Sequence, residues 1–225
     1  MKPILVVDCY VEGDGSINFR RLLGAHPVVV WRPCDSVTHP DLDEYRAMMI
    51  TGSAACVTAP VEWMYPLVSV IQKAKKQNLP VLGICFGHQI VAHALFGDGS
   101  VRKAATPEIG WKRIQIIKAG GLLDDLGTEF TTFASHFDEV CDGIDGMTIF
   151  ARSADCSVQA YGVDGANIWG IQFHSEMRQL EAEELAGIRI GGRPDLGLDL
   201  ERTLTESRDS TALGTQIFQN FLSRT

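Results

Sequence analysis

Short, wholly apolar runs bounded by polar and glycine residues limit what this chain can become. Ile4-Leu5-Val6-Val7, Val28-Val29-Val30-Trp31, Ala47-Met48-Met49-Ile50 and Pro80-Val81-Leu82-Gly83-Ile84 are of this kind. A strand that is apolar on both sides is buried on both sides, the condition of a parallel strand covered by helices. Helical spacing fills the gaps between the runs. Phe19, Leu22 and Leu23 fall together, and from Pro66 to Gln77 the residues Leu67, Val70, Ile71 and Ala74 share a face, with lysines at the end. Gln89 to Phe96 reads as a short apolar helix that stops at Gly97. Strands alternating with helices predict an α/β fold: an open, mainly parallel sheet with helices on both faces.

The second half reads differently. Lys112 to Ile117 alternates polar and apolar, the pattern of a half-exposed strand. Met147–Arg152, Ser157–Val163 and Ile168–Phe173 are further strand candidates, and the last runs directly into His174. From Glu181 to Ser210 the chain is charged and glycine-rich, and a final helix is expected over Gly214–Leu222. With no internal repeat and no linker, 225 residues suit a single domain over 1–225, with 181–210 as a variable segment.

A net charge of −8 without any basic run disfavours nucleic acid and anionic lipid as partners. No apolar stretch has the length to span a bilayer, and the N-terminal run is too short for a secretory signal. The six cysteines are scattered, with no CxxC pair and no zinc-ligand spacing. Free thiols of this kind belong in a reducing cytoplasm. The expected partners are small molecules or other proteins.

The most informative segment is Leu82-Gly83-Ile84-Cys85-Phe86-Gly87-His88-Gln89. A buried strand meets a helix through a Gly-x-Cys-x-Gly turn, the cysteine counterpart of the nucleophile elbow. A tight turn needs small neighbours, and Gly83 and Gly87 are small. The helix that follows aims its positive end at the thiol and favours the nucleophilic thiolate. The same turn leaves the Phe86 N–H near any oxyanion formed when Cys85 attacks a carbonyl. Cysteine is also among the most buried residue types, so a packed thiol is the competing reading of the motif alone.

A thiol nucleophile needs a base. His174 stands just past a strand end, as Cys85 does, and a parallel sheet brings both to its carboxyl edge. Glu176, two residues on, shares a face with His174 in an extended stretch and can hold its tautomer. His-x-Glu by itself is a common chance pattern, so the three elements carry the reading only together. Among the other polar residues, His88 reads as structural and His93 as a core or interface histidine. His136 fits either a substrate pocket or a loop, Asp8 reads as a solvated or capping carboxylate, and Trp63, Trp111 and Trp169 read as core or rim aromatics.

Together these segments resemble the class I glutamine amidotransferases, the group with a Cys-His-Glu triad, and stand-alone members similar to the amidotransferase part of GMP synthetase. Gly83 to Gln89 matches the nucleophile signature, and Phe173-His174-Ser175-Glu176 the histidine–glutamate signature. Met49 to Ser53 resembles the oxyanion strand, and Glu108-Ile109-Gly110-Trp111 and Ser135 to Val140 resemble two further stretches. The resemblance implies a flavodoxin-like fold and a set of roles. Cys85 would attack the glutamine amide. His174 would pass a proton to departing ammonia and then activate water against a γ-glutamyl thioester, with Glu176 orienting it. The Phe86 N–H and an N–H near Ser53 would form the oxyanion hole. Gly52, Gln89, Ser135, His136 and Phe137 would contact the substrate. No metal or organic cofactor is implied.

The sequence departs from the family pattern at two places. Ser175 stands where many members have proline, and Gly52-Ser53-Ala54-Ala55 stands where a second glycine and a proline are frequent. Three functions follow from the resemblance. One is a glutaminase that supplies ammonia to a separate synthetase. The second is a stand-alone hydrolase or peptidase of γ-glutamyl compounds using the same triad. The third, a non-catalytic module that keeps the fold, is opposed by the intact triad.

Overall fold

Each wholly apolar run becomes a strand in the computed structural model, which describes residues 1–36 and 38–225. In chain order the first half comprises β1 (Ile4–Val7), α1 (Ser16–Leu23), β2 (Val28–Trp31), β3 (Ala47–Ile50), α2 (Met64–Lys76), β4 (Val81–Ile84) and α3 (Phe86–Phe96). The second half comprises β5 (Val101–Ile116), β6 (Glu129–Val140), β7 (Met147–Arg152), β8 (Ala160–Val163), β9 (Ile168–Ile171), α4 (Gln179–Gly191), α5 (Leu200–Thr205) and α6 (Thr211–Leu222).

The strands form one sheet in the order β2-β1-β3-β4-β9-β8-β7-β5-β6. From β2 to β9 the pairings are parallel; from β9 to β6 they are antiparallel. The parallel half is the sheet expected from the apolar runs. The remainder makes the sheet mixed, in keeping with the alternating patterns of the second half.

Alternate residues of the parallel strands feed two cores. Leu5 and Val7 pack with Leu67, Val70 and Ile71 of α2 and Ile90 and Val91 of α3. Ile4 and Val6 pack on the other face with Phe19 and Leu23 of α1 and Ile217, Phe218 and Phe221 of α6. Helices therefore cover both faces. A third, smaller cluster joins Trp111 of β5 and Phe133 of β6 to Met177, Ala182 and Ala186.

Two parts of this architecture extend the sequence reading. The half-exposed strand expected over 112–117 is the end of the much longer β5. Its partner β6 has no period-two burial, because Thr132 to His136 are buried without a break. Alternation is therefore no guide to it. The charged 181–210 segment holds most of α4 and all of α5, and α4 buries only Ala182, Ala186 and Ile190. Two alanines and one isoleucine give a weak apolar stripe.

Candidate active site

Elements from both halves of the chain converge on the carboxyl edge of the parallel half. β4 delivers Cys85, whose N–H donates to the Ile171 carbonyl of β9 at 2.9 Å. Its backbone has φ 53° and ψ −104°, a conformation side-chain-bearing residues rarely adopt. A Cβ at Gly83 would strike the Gly87 carbonyl, and one at Gly87 would strike the Ile50 carbonyl. Both glycines are thus demanded by close backbone approach at the elbow. The Gly87 N–H donates to the Thr51 carbonyl at 3.1 Å and ties the elbow to the end of β3. Among the described residues, neither the Phe86 N–H nor the Ser53 N–H has a protein acceptor.

His174 lies three residues past β9. Its N–H donates to the Phe133 carbonyl of β6 at 2.8 Å, which fixes the strand extension in place. Its Nδ1 lies 2.7 Å from Glu176 Oε1, and both side chains are buried. Gly52 makes room beside them: a Cβ there would sit 3.1 Å from His174 Cε1 and 3.7 Å from Cys85 Cβ. Arg21 of α1 donates to the Glu176 carbonyl at 2.6 Å. Gly214 of α6 packs so closely on the Ser175 carbonyl that a Cβ would clash. The histidine–glutamate segment is therefore clamped from two helices.

Burial by itself would lower the His174 pKa. The Glu176 carboxylate and the charge and hydrogen bond of Cys85 outweigh it and raise the value to about 10. With Nδ1 committed to Glu176, Nε2 is the nitrogen left for the sulfur. Such an imidazolium can donate a proton to a leaving group and, once it has done so, can accept one from water.

Cys85 is 5% exposed, and two cavities open at it. They share Ser53, Ala54, Ala55, Cys85, Ser135 and Arg189 as wall residues. The larger, about 570 Å³, also contacts His174, Tyr10, Val11, Leu185 and Ile188. The smaller, about 20 Å³, is bounded by Phe86, Gln89, His136 and Phe137. The residues singled out in the sequence are thus gathered around one thiol.

Some of their side chains are already engaged within the protein. Gln89 Nε2 donates to the Asp138 carbonyl at 2.7 Å and to Gln172 Oε1 at 3.0 Å. The His136 ring turns away to Glu108, with Nε2 2.8 Å from Oε2 and Nδ1 3.0 Å from the Asp138 carbonyl. Phe137 carries the Arg193 guanidinium over its ring at 4.9 Å. His88 is a structural histidine: it packs on Tyr161 with ring centroids 4.8 Å apart, and burial lowers its pKa to about 3.

Of the two readings of Asp8, the capping one holds. It is fully buried, not solvated, and pairs with Arg32 at 2.5 Å while accepting from the Tyr10 N–H at 3.0 Å. This pair holds the loop that places Tyr10 in the cavity wall. Burial raises the Tyr10 pKa, and the nearby charges of Glu176 and Cys85 raise it further. Sequence reasoning misses Tyr10, although its place just past the end of β1 is the same signal that marks Cys85 and His174. It misses Leu185, Ile188 and Arg189 because they come from α4, which no motif marks.

Among the described residues, Glu108, His136 and Cys156 form a group of potential metal ligands, their donor atoms within 4.8 Å of one another. The protein already satisfies that group. Glu108 Oε1 accepts from Ser153 at 2.7 Å, and Oε2 meets both His136 and Gln159. Cys156 donates to the Val158 carbonyl at 3.6 Å. A metal would have to displace these bonds.

A family model described as glutamine amidotransferase class-I matches residues 5–185. A glutamine-hydrolysing GMP synthase subunit from Saccharolobus solfataricus is 33% identical over 141 residues, covering 63% of this chain and 72% of that protein. The corresponding GMP synthase subunit from Thermoplasma acidophilum is 30% identical over 161 residues, covering 72% of this chain and 76% of that protein. That of Sulfolobus acidocaldarius is 39% identical over 107 residues, and the match spans 56% of its length. Among solved structures, a glutamine amidotransferase from Methylobacillus flagellatus superposes with a TM-score of 0.80 at 24% identity, covering 99% of this chain and 95% of that one. One from Thermotoga maritima gives 0.80 at 18% identity, covering 100% and 98%. Both share the fold.

Proposed function

The chain belongs to the class I glutamine amidotransferase family, and from that premise we propose that it hydrolyses glutamine to glutamate and ammonia through a γ-glutamyl thioester on Cys85. The reading is carried by one junction: a strained thiol elbow, a buried His174–Glu176 pair and two unpaired N–H groups around the same cavities.

In the first step the Cys85 sulfur adds to the γ-carbonyl carbon, and the carbonyl oxygen takes the charge between the Phe86 and Ser53 N–H groups. His174 gives its proton to the amide nitrogen, the C–N bond breaks, and ammonia leaves. Water then attacks the thioester as His174 accepts its proton. The C–S bond breaks, and glutamate and the starting thiolate–imidazolium pair result. Glu176 holds the imidazole orientation throughout. Gly52, Gln89, Ser135, His136 and Phe137 line the glutamyl subsite, His136 and Phe137 through their backbone. The matched relatives are named as subunits of GMP synthase, which supports a separate synthetase as the consumer of the ammonia.

A second reading rests on the cavity. At about 570 Å³, with Val11, Leu185 and Ile188 in its wall, it has room beyond glutamine on the side where His174 stands. That room favours a substituted amine as leaving group, as in a γ-glutamyl peptide. Glutamate release from glutamine and from a panel of γ-glutamyl peptides, with Cys85→Ala as control, separates the two. Cys85-dependent release from glutamine that rises with an added synthetase supports the first. Robust release from peptides by the chain alone supports the second. Release that survives Cys85→Ala overturns both.

A further inference from the structure

The variable segment brings one charge to the thiol. Arg189, in the last turn of α4, is the only lysine or arginine among the wall residues of the two cavities, and it belongs to both. A cation in a last helical turn ordinarily complements the helix dipole from solvent. This one behaves otherwise: its Nε is buried and has no hydrogen-bond partner. The arginines that flank α4 are paired, Arg178 with Glu181 at 2.7 Å and Arg193 with Asp195 at 2.7 Å. Among the described residues, Arg189 has no such carboxylate. Its charge also acts on the Tyr10 phenol across the cavity. Arg189 is half-buried, and a guanidinium whose inner nitrogen is shielded and unpartnered is most favourably completed by an anion in the cavity.

We propose that Arg189 binds the α-carboxylate of the glutamyl substrate and so selects for it. This rests on the reading that Cys85 takes a γ-glutamyl group. The α-carboxylate is the only anionic group of glutamine, and its carbon lies four bonds from the carbon that Cys85 attacks. A planar guanidinium suits a carboxylate in two-point contact. Arg189 itself lies beyond the family match, which ends at residue 185. α4 is held for the task at its first turn, where Glu181 accepts from the Arg178 N–H at 2.8 Å and meets Arg21 of α1 at 3.2 Å. The 181–210 segment thereby becomes the part of the chain that reads the amino-acid end of the substrate.

The test labels Cys85 and reads intact mass. One reagent is 6-diazo-5-oxo-L-norleucine, a glutamine-shaped diazoketone that keeps the α-carboxylate. The thiol proton passes to the diazo carbon, dinitrogen leaves, and a C–S bond forms. The other reagent is iodoacetamide, which has no carboxylate. Arg189→Gln is expected to slow diazoketone labelling about 10- to 100-fold and to leave the iodoacetamide rate unchanged. Arg189→Lys, which keeps charge without the fork, is expected to fall between and guards against a folding failure. Equal diazoketone rates for wild type and Arg189→Gln overturn the proposal and leave the family mechanism standing. Equal slowing with both reagents also overturns it, because that marks a structural role. A wild-type protein labelled at Cys85 by iodoacetamide but never by the diazoketone overturns the γ-glutamyl reading itself.

Discussion

The molecule contains two buried groupings of a cysteine, a histidine and a glutamate. In one, His174 and Glu176 are 2.7 Å apart beside Cys85; in the other, His136 and Glu108 are 2.8 Å apart beside Cys156. Residue types and spacing are nearly the same. The difference lies in what else each group touches. The His136 nitrogens are both engaged, and Glu108 accepts from three donors. Burial pushes the Cys156 thiol up to about 12, which keeps it protonated and inert. Cys85 instead sits on a positive-φ elbow at the start of α3, and both it and His174 open to a cavity. The proposed triad is thus set apart by an open face and an unfinished hydrogen-bond set. A finished set, with the His136 ring committed to Glu108, is a structural pin between β5, β6 and the loop that joins β7 to β8.

Substitutions can break that contrast. Cys85→Ala is expected to lower glutamate release by about 10³-fold or more, whereas Cys156→Ala leaves turnover per folded molecule near wild type; steady-state assays of both check this. Glu176→Gln is next: it keeps the fold but loses imidazole orientation, and kcat is expected to drop by roughly 10²- to 10⁴-fold. Glu108→Gln is its structural mirror. It is expected to cost about 3 to 5 kcal/mol of stability, the usual penalty for removing one partner of a buried pair, while kcat of the folded fraction persists. Urea denaturation beside single-turnover kinetics separates the two effects. If Glu108→Gln lost catalysis without stability, the finished grouping would be part of the reaction.

pH gives the smallest and most directional test. His174 is raised from 6.5 to about 10 in the folded state. Its contribution to stability is therefore full below about 6.5 and is lost as pH rises through about 10. Glu108 moves the other way. Burial would raise its pKa, but the His136 contact and the Ser153 bond prevail and hold it below 4.5. Its contribution is present above 4.5 and is lost as pH falls through the lowered value. Melting temperatures across pH should thus show an alkaline decline that His174→Gln removes and an acid decline that Glu108→Gln removes. A flat alkaline limb in the wild type would mean that the buried Glu176 carboxylate does not hold His174 charged.

Much of the fold is legible because local pattern encodes burial. Four apolar runs could only be parallel strands, and Gly83 and Gly87 around Cys85 could only serve a turn without side-chain room. His174 and Glu176 are legible for the same reason: both follow a strand, two residues apart. β6 escapes because continuous burial erases alternation, and Tyr10 because a single aromatic after a strand end carries no spacing. Asp8 is legible as a cap, but its burial is not, because its partner, Arg32, is twenty-four residues away, beyond any local signal.

The sequence by itself determined the strands, the elbow and the placement of His174 and Glu176 just past a strand end, since each depends on neighbours within a few residues. Only the tertiary structure decided that Cys85 and His174 would face one cavity. It also decided that Arg189 of an unmarked helix would end beside Cys85 without an anion of its own. The physical reason is common to both. Openness and unsatisfied hydrogen-bonding capacity are properties of how distant segments pack, and no residue spacing records them.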